Sequence, residues 1–152
     1  MRRHLATALC AALLSTAALA QSAAPYGAND PRGRWITASG NLEIEIAPCG
    51  SALCGTVTKV LANNSMSRDG QPMTPADPRP ALGMKILIDL LPDEGDASTV
   101  WRGQLYNREN AKTYRAKVEV QARPDAQSEL HVRGYVGLPL FGQTQRWLRA
   151  PG

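Results

Sequence analysis

From Gly33 onward the chain alternates between apolar and polar residues with a period of two. Leu42, Ile44 and Ile46 are separated by Glu43 and Glu45. Trp101, Gly103 and Leu105 are separated by Arg102 and Gln104. Tyr114, Ala116, Val118 and Val120 alternate with Arg115, Lys117 and Glu119, and Leu130, Val132, Gly134 and Val136 with His131, Arg133 and Tyr135. Side chains of a strand point to opposite faces in turn, so this pattern predicts half-buried β-strands. No window carries an apolar stripe at helical spacing. The most ambiguous run is Met84–Leu91, whose isoleucines and following Pro92 favour a strand.

Turn residues divide the chain into about eight strands, over 33–39, 42–48, 53–61, 83–91, 98–106, 112–122, 128–137 and 140–149. Short strands at this spacing predict an all-β sandwich or an up-and-down barrel. Short connections between nearly all consecutive strands favour a meander, and closing a meander removes its exposed edges. One connection is long. Residues 62–82 hold Asn63-Asn64, Asp69-Gly70 and the prolines Pro72, Pro75, Pro78 and Pro80. Two readings stay open for it: a loop covering one end of a barrel, or an ordered crossover with no ligand role.

The first twenty residues read differently. Met1-Arg2-Arg3-His4 is a basic start, Leu5 to Ala17 is uncharged and rich in Ala and Leu, and Ala18-Leu19-Ala20 is a small-residue cleavage site. This is the layout of a secretory signal peptide cleaved after Ala20. The rival is a membrane anchor, but about 20 apolar residues are needed to span a bilayer, and this run is interrupted by Thr7, Ser15 and Thr16. The expected location is the bacterial periplasm, with no membrane span. Residues 21–32 read as a flexible lead-in and 33–150 as a single β-barrel domain. Of 17 Lys and Arg, Arg2 and Arg3 lie in the signal segment, leaving 15 against 13 Asp and Glu, a net charge of +2. That is too small and too dispersed for a nucleic-acid footprint.

Two of the three cysteines follow the signal segment: Cys49 and Cys54, in Cys-Gly-Ser-Ala-Leu-Cys-Gly. In an oxidising compartment so close a pair reads as a disulfide across a hairpin turn. The rivals are a redox pair and half a metal site. Redox motifs usually have two intervening residues, and His131 is the one histidine left to complete a zinc site. The expectation is therefore a structural bridge and no metal.

Several separate motifs then occur in a recognisable order. They are Gly33-Arg34-Trp35, the Cys49–Gly55 hairpin, Leu82-Gly83-Met84-Lys85-Ile86-Leu87, Trp101–Tyr106 followed by the 107–114 turn, Leu130–Gly137 and Leu140–Trp147. In these the chain resembles the DUF2147 family of small exported bacterial proteins of unknown function, over about residues 33–149. The resemblance implies a lipocalin-like antiparallel barrel outside the cytoplasm, with no catalytic residues or cofactor to carry over. Where the family turn usually has Gly before Lys-Thr-Tyr, this chain has Ala111. In lipocalins a first-strand Trp packs under an Arg from the far end of the barrel. Trp35 and Arg149 (or Arg146) resemble that closure, a cation–π contact worth about 0.5–2 kcal/mol.

An eight-stranded barrel is just wide enough to be filled by side chains or to hold one small ligand. Trp101, Leu105 and Tyr114 either fill the core or line a pocket. Phe141, Gln143, Gln145 and Trp147 share one face of the last strand, and if it faces inward the two amides need partners. Trp147 itself reads as core or barrel-end packing. Arg102, Tyr106, Arg133 and Tyr135 read as a solvated outer wall. No G-x-S-x-G, H-E-x-x-H or Walker-type sequence is present, so no catalytic role is expected. The expected function is a carrier of a small apolar or amphipathic ligand. The alternative is a protein-interaction module in the cell envelope, such as a stress accessory or an inhibitor of a secreted enzyme.

Overall fold

The computed structural model describes residues 26–93, 99–123 and 127–152. The signal segment 1–20 and the start of the lead-in, 21–25, lie outside the described residues. Eight strands follow in order: β1 (Gly33–Ile36), β2 (Leu42–Cys49), β3 (Ala52–Val60), β4 (Lys85–Pro92), β5 (Val100–Asn107), β6 (Lys112–Gln121), β7 (Glu129–Tyr135) and β8 (Gln143–Arg149). Each pairs antiparallel with its neighbour, and β1 pairs with β8 through Trp35–Arg149 and Ile36–Leu148, which closes the barrel. The fold is thus the expected all-β, up-and-down barrel, and the ambiguous run 84–91 is a strand.

The strand ends differ from expectation where side chains intervene. β1 stops at Ile36 because Thr37 Oγ1 accepts the Leu42 N–H and the Thr37 carbonyl accepts the Gly40 N–H, making a tight turn. β8 starts at Gln143 rather than 140 because Pro139–Phe141 forms one 3-10 turn. Pro139 has no N–H to give a ladder.

The register explains the alternation. Trp101, Val118, Val132 and Gln145 form one inward row, and Val120, Leu130 and Trp147 another. Trp35, Ile44, Ile46, Leu87, Leu90, Val118, Leu130 and Val132 are almost fully buried and fill one half of the barrel. The outer wall carries Arg34, Glu45, Arg102, Lys117 and Arg146. A barrel in lipid shows the reverse polarity, with an apolar outer band. Among the described residues, no helix is long and apolar enough to cross a membrane.

Charge on that wall is not always solvated. Glu43 is only 5% exposed, where Arg34, Lys59 and Thr58 surround its carboxylate. Burial pushes that carboxyl up, but the hydrogen bonds from Lys59 and Thr58 outweigh it and hold it below the usual range. Tyr135, expected in the solvated wall, is 7% exposed. It shares a shallow outer depression with Arg102 and Arg115, whose long side chains flank it.

β4 contains a bulge between Ile88 and Leu91, with Asp89 at φ +51°. The bulge drives the Ile88 carbonyl inward, so a Cβ on Gly103 would lie 2.5 Å from that oxygen. Only glycine fits there.

The end of the barrel holding the β2–β3 hairpin is shut. Cys49 and Cys54 form the expected disulfide across the Gly50-Ser51 turn, where Gly50 has φ +71°. The Trp35 indole donates to the Pro31 carbonyl at 2.8 Å, and Arg149 lies over the Trp35 ring, 3.8 Å from its centroid. In the segment expected to be a flexible lead-in, 30–32 pack against the barrel while 27–29 are exposed. Pro31 is buried, Asp30 pairs with Arg32, and Arg32 stacks on Tyr26 at 4.5 Å.

Candidate ligand cavity at the open end

The opposite end is hollow. Turns 37–41 and 108–111, the long connection 61–84 and the β7–β8 segment 136–142 surround a cavity of about 800 Å³. Its floor is apolar: Ile86, Leu105 and Trp147 are each buried in the core and also face the cavity. Gly134 lies on the cavity wall. A Cβ there would sit 3.2 Å from a Leu105 methyl, tighter than an ordinary contact, and 3.8 Å from Tyr114, so glycine lets Leu105 pack closely against β7. The barrel is filled in one half and hollow in the other.

The long connection is held to the rim by buried groups. Asn41 is 2% exposed; its amide donates to the Asn64 carbonyl at 2.8 Å and accepts the Asn64 N–H at 2.7 Å. Glu109, on the β5–β6 turn, accepts hydrogen bonds from the hydroxyls of Ser65 and Ser67 and from the Met66 N–H. Burial pushes the Glu109 carboxyl up, but these hydrogen bonds outweigh it and hold it below the usual range. Further along, Asp77 accepts from both the Arg79 guanidinium and the Tyr106 hydroxyl. Arg79, then Tyr106, hold the Asp77 carboxyl far below its ordinary value. Tyr106 belongs to this latch, not to a solvated wall.

Most of the residues singled out from the sequence are brought together here. Leu105, Tyr114, Phe141, Gln143 and Gln145 all line the cavity. Phe141 does so from the 3-10 turn, not from a strand face, and is 75% exposed at the rim. Val136, Leu138 and Leu140 continue that exposed apolar segment. Arg133 fixes it: its guanidinium donates to the carbonyls of Pro139 and Leu140 and to Thr144 Oγ1. Trp101 does not line the cavity. It packs on the core beside Pro92 and Val118, and among the described residues its buried Nε1 has no hydrogen-bond partner. Trp35 and Arg149 lie at the shut end, as described. Sequence reasoning missed Asn41, Asp77 and Glu109, whose partners Asn64, Tyr106 and Ser65 lie 23, 29 and 44 residues away.

The family model for DUF2147, described as an uncharacterized protein conserved in bacteria, matches residues 33–149. The chain belongs to that family. The match runs from the first residue of β1 to the last of β8, so the family unit is the whole barrel. No curated protein and no solved structure matches the chain.

The cavity wall offers amide, hydroxyl and indole groups over an apolar floor. Among the described residues lining it, charge is carried by Arg108 and Glu109 alone. Glu109 is engaged by the loop, and Arg108 donates to the Arg79 carbonyl at 3.0 Å. Such a surface is suited to holding a molecule by apolar contact and a few neutral hydrogen bonds.

Proposed function

We propose that this barrel binds one small apolar or amphipathic molecule in the hollow of its open end, and does so in the periplasm. The observation that carries the reading is the cavity of about 800 Å³ over Ile86, Leu105 and Trp147. Its size falls within the usual range of small-molecule sites, about 300–1,000 Å³. A periplasmic location is supported by the signal-peptide layout of residues 1–20 and by the Cys49–Cys54 bridge, which suits an oxidising compartment. The role is carriage and not catalysis: Glu109, the carboxylate on the cavity wall, is taken up in holding the loop.

Native mass spectrometry of the protein isolated from the periplasm of its own host, followed by solvent extraction, tests this. A stoichiometric extra mass is expected. An apo protein that also takes up no apolar probe in titration overturns the reading. One observation favours a second reading, that of an envelope interaction module. The segment Val136, Leu138, Leu140 and Phe141 is exposed, and Arg133 holds it through the Pro139 and Leu140 carbonyls. Under that reading, cross-linking in the intact envelope captures a partner through residues 136–141.

A further inference from the structure

The large apolar side chains left exposed among the described residues gather at one place. Val60, Met66, Val136 and Phe141 are each exposed and each line the cavity, so they stand around its mouth. Leu138 and Leu140, 63% and 79% exposed, extend the rim along the β7–β8 segment. These side chains are presented on held backbone: the Met66 N–H donates to Glu109, and Arg133 donates to the Pro139 and Leu140 carbonyls. At the shut end, Leu91 and Leu148 stand singly. Single exposed apolar residues are ordinary, whereas a gathered set marks a surface that something covers.

Charge around the same mouth is mainly positive. Lys59 is matched by Glu43, and Arg79 by Asp77. Arg68, Arg108, Lys112 and Arg133 have no carboxylate partner among the described residues. The three arginines donate to carbonyl oxygens, which leaves their charge in place. Against these four cations stand the carboxylates of Asp69 and Glu109. An apolar rim set among excess cations is the combination that an anionic phospholipid surface takes up. A second copy of the chain, rim to rim, would instead bring like charges together. A bilayer at the mouth also lets an apolar occupant pass between hollow and hydrocarbon without crossing water.

We propose that the open end docks on an anionic phospholipid bilayer. Leu138, Leu140 and Phe141 enter the interfacial layer, and Arg68 and Lys112 meet headgroup phosphates. The barrel lies on the membrane and does not span it, since its outer wall is polar. The proposal rests on the cavity reading only for the route of the ligand; the docking itself rests on the rim.

The test is co-sedimentation of the mature chain, residues 21–152, with vesicles of phosphatidylcholine alone and of an equal mixture of phosphatidylcholine and phosphatidylglycerol. Partition into the mixed vesicles is expected to be at least about tenfold stronger and to weaken as salt is raised. Leu138→Glu/Leu140→Glu, at exposed positions outside the cavity lining, is expected to lose about tenfold or more. Arg68→Gln/Lys112→Gln is expected to lose about tenfold on the mixed vesicles. Leu91→Glu, at the shut end, is expected to change nothing. Should a variant fail to fold, the comparison of the two vesicles and the salt series with the wild-type chain still decides. Wild-type protein that stays in the supernatant with the mixed vesicles overturns the inference, as does partition that survives Leu138→Glu/Leu140→Glu, which is adhesion by charge alone. Cross-linking of residues 136–141 to an envelope protein, with no partition into vesicles, also overturns it. Uptake of an apolar probe in solution without vesicle partition overturns the docking and leaves the cavity reading standing; partition without probe uptake does the reverse.

Discussion

The guanidinium of Arg149 lies 3.8 Å from the centre of the Trp35 ring, and these two residues are also cross-strand partners in the β1–β8 pairing that closes the barrel. One contact therefore seals the sheet and plugs its shut end. Arg149 also donates to the Arg32 carbonyl at 2.7 Å, tying the 26–32 segment into the same plug. Replacing Arg149 by Met removes the cation–π contact and that hydrogen bond. A loss of about 1–3 kcal/mol is expected, seen as a lower midpoint in urea. Ligand binding at the far end is expected to be unchanged.

The disulfide closes only a short loop, so its effect is modest. The double change Cys49→Ser/Cys54→Ser is expected to cost about 2 kcal/mol and to lower the thermal midpoint by several degrees. Calorimetry of the two proteins side by side measures it. A thiol assay on the wild-type protein is expected to find the pair oxidised.

Ala111 stands at φ +55°, a left-handed conformation that L-residues with a Cβ adopt at a cost. Glycine has no Cβ to clash and adopts this conformation freely. Ala111→Gly is expected to stabilise the protein by about 0.5–1 kcal/mol, after glycine's extra unfolded-state entropy is set against the relief of strain. An unchanged or lower denaturation midpoint would refute it.

Two glycines that look alike in the sequence are expected to respond differently. A Cβ on Gly103 meets the backbone oxygen of Ile88 at 2.5 Å, whereas one on Gly134 meets a movable Leu105 methyl at 3.2 Å. Gly103→Ala should destabilise by about 2 kcal/mol or more, because the backbone must shift. Gly134→Val should fold and lose ligand affinity, because its side chain occupies the hollow. Thermal melts and probe titrations of both variants separate the two effects.

The loop latch is acid-sensitive. Asp77, Glu109 and Glu43 are all held below their ordinary values in the folded protein. A depressed carboxyl contributes stability that is present above its unfolded value, near pH 4, and is lost as the pH falls through its folded value. The thermal midpoint is therefore expected to be flat from about pH 7 to 5 and to fall below about pH 4. Tyr106→Phe removes one of the bonds to Asp77. It is expected to cost about 1 kcal/mol and to speed amide exchange across residues 76–79.

The strands, the closed meander and the bridge were legible in the order of residues alone. These follow from local rules: period-two alternation in 42–46, 114–120 and 130–134, turn residues between the runs, and two cysteines five positions apart. The match to DUF2147 rests on the same local motifs. The rest lies in contacts between positions far apart in the chain. Glu43 reads as one more polar residue of an alternating strand, and it is buried because Arg34 and Lys59 from both neighbouring strands fold over it. Tyr106 reads as outer wall, and Asp77 from the long loop makes it a latch. Trp101 and Leu105 share one inward face, yet one packs on the filled half and the other faces the hollow. Alternation states which way a side chain points. It carries no information on whether the side chains meeting from eight strands have enough volume to fill the space between them. At the level of Gln143 and Gln145 they do not, and the cavity is the result.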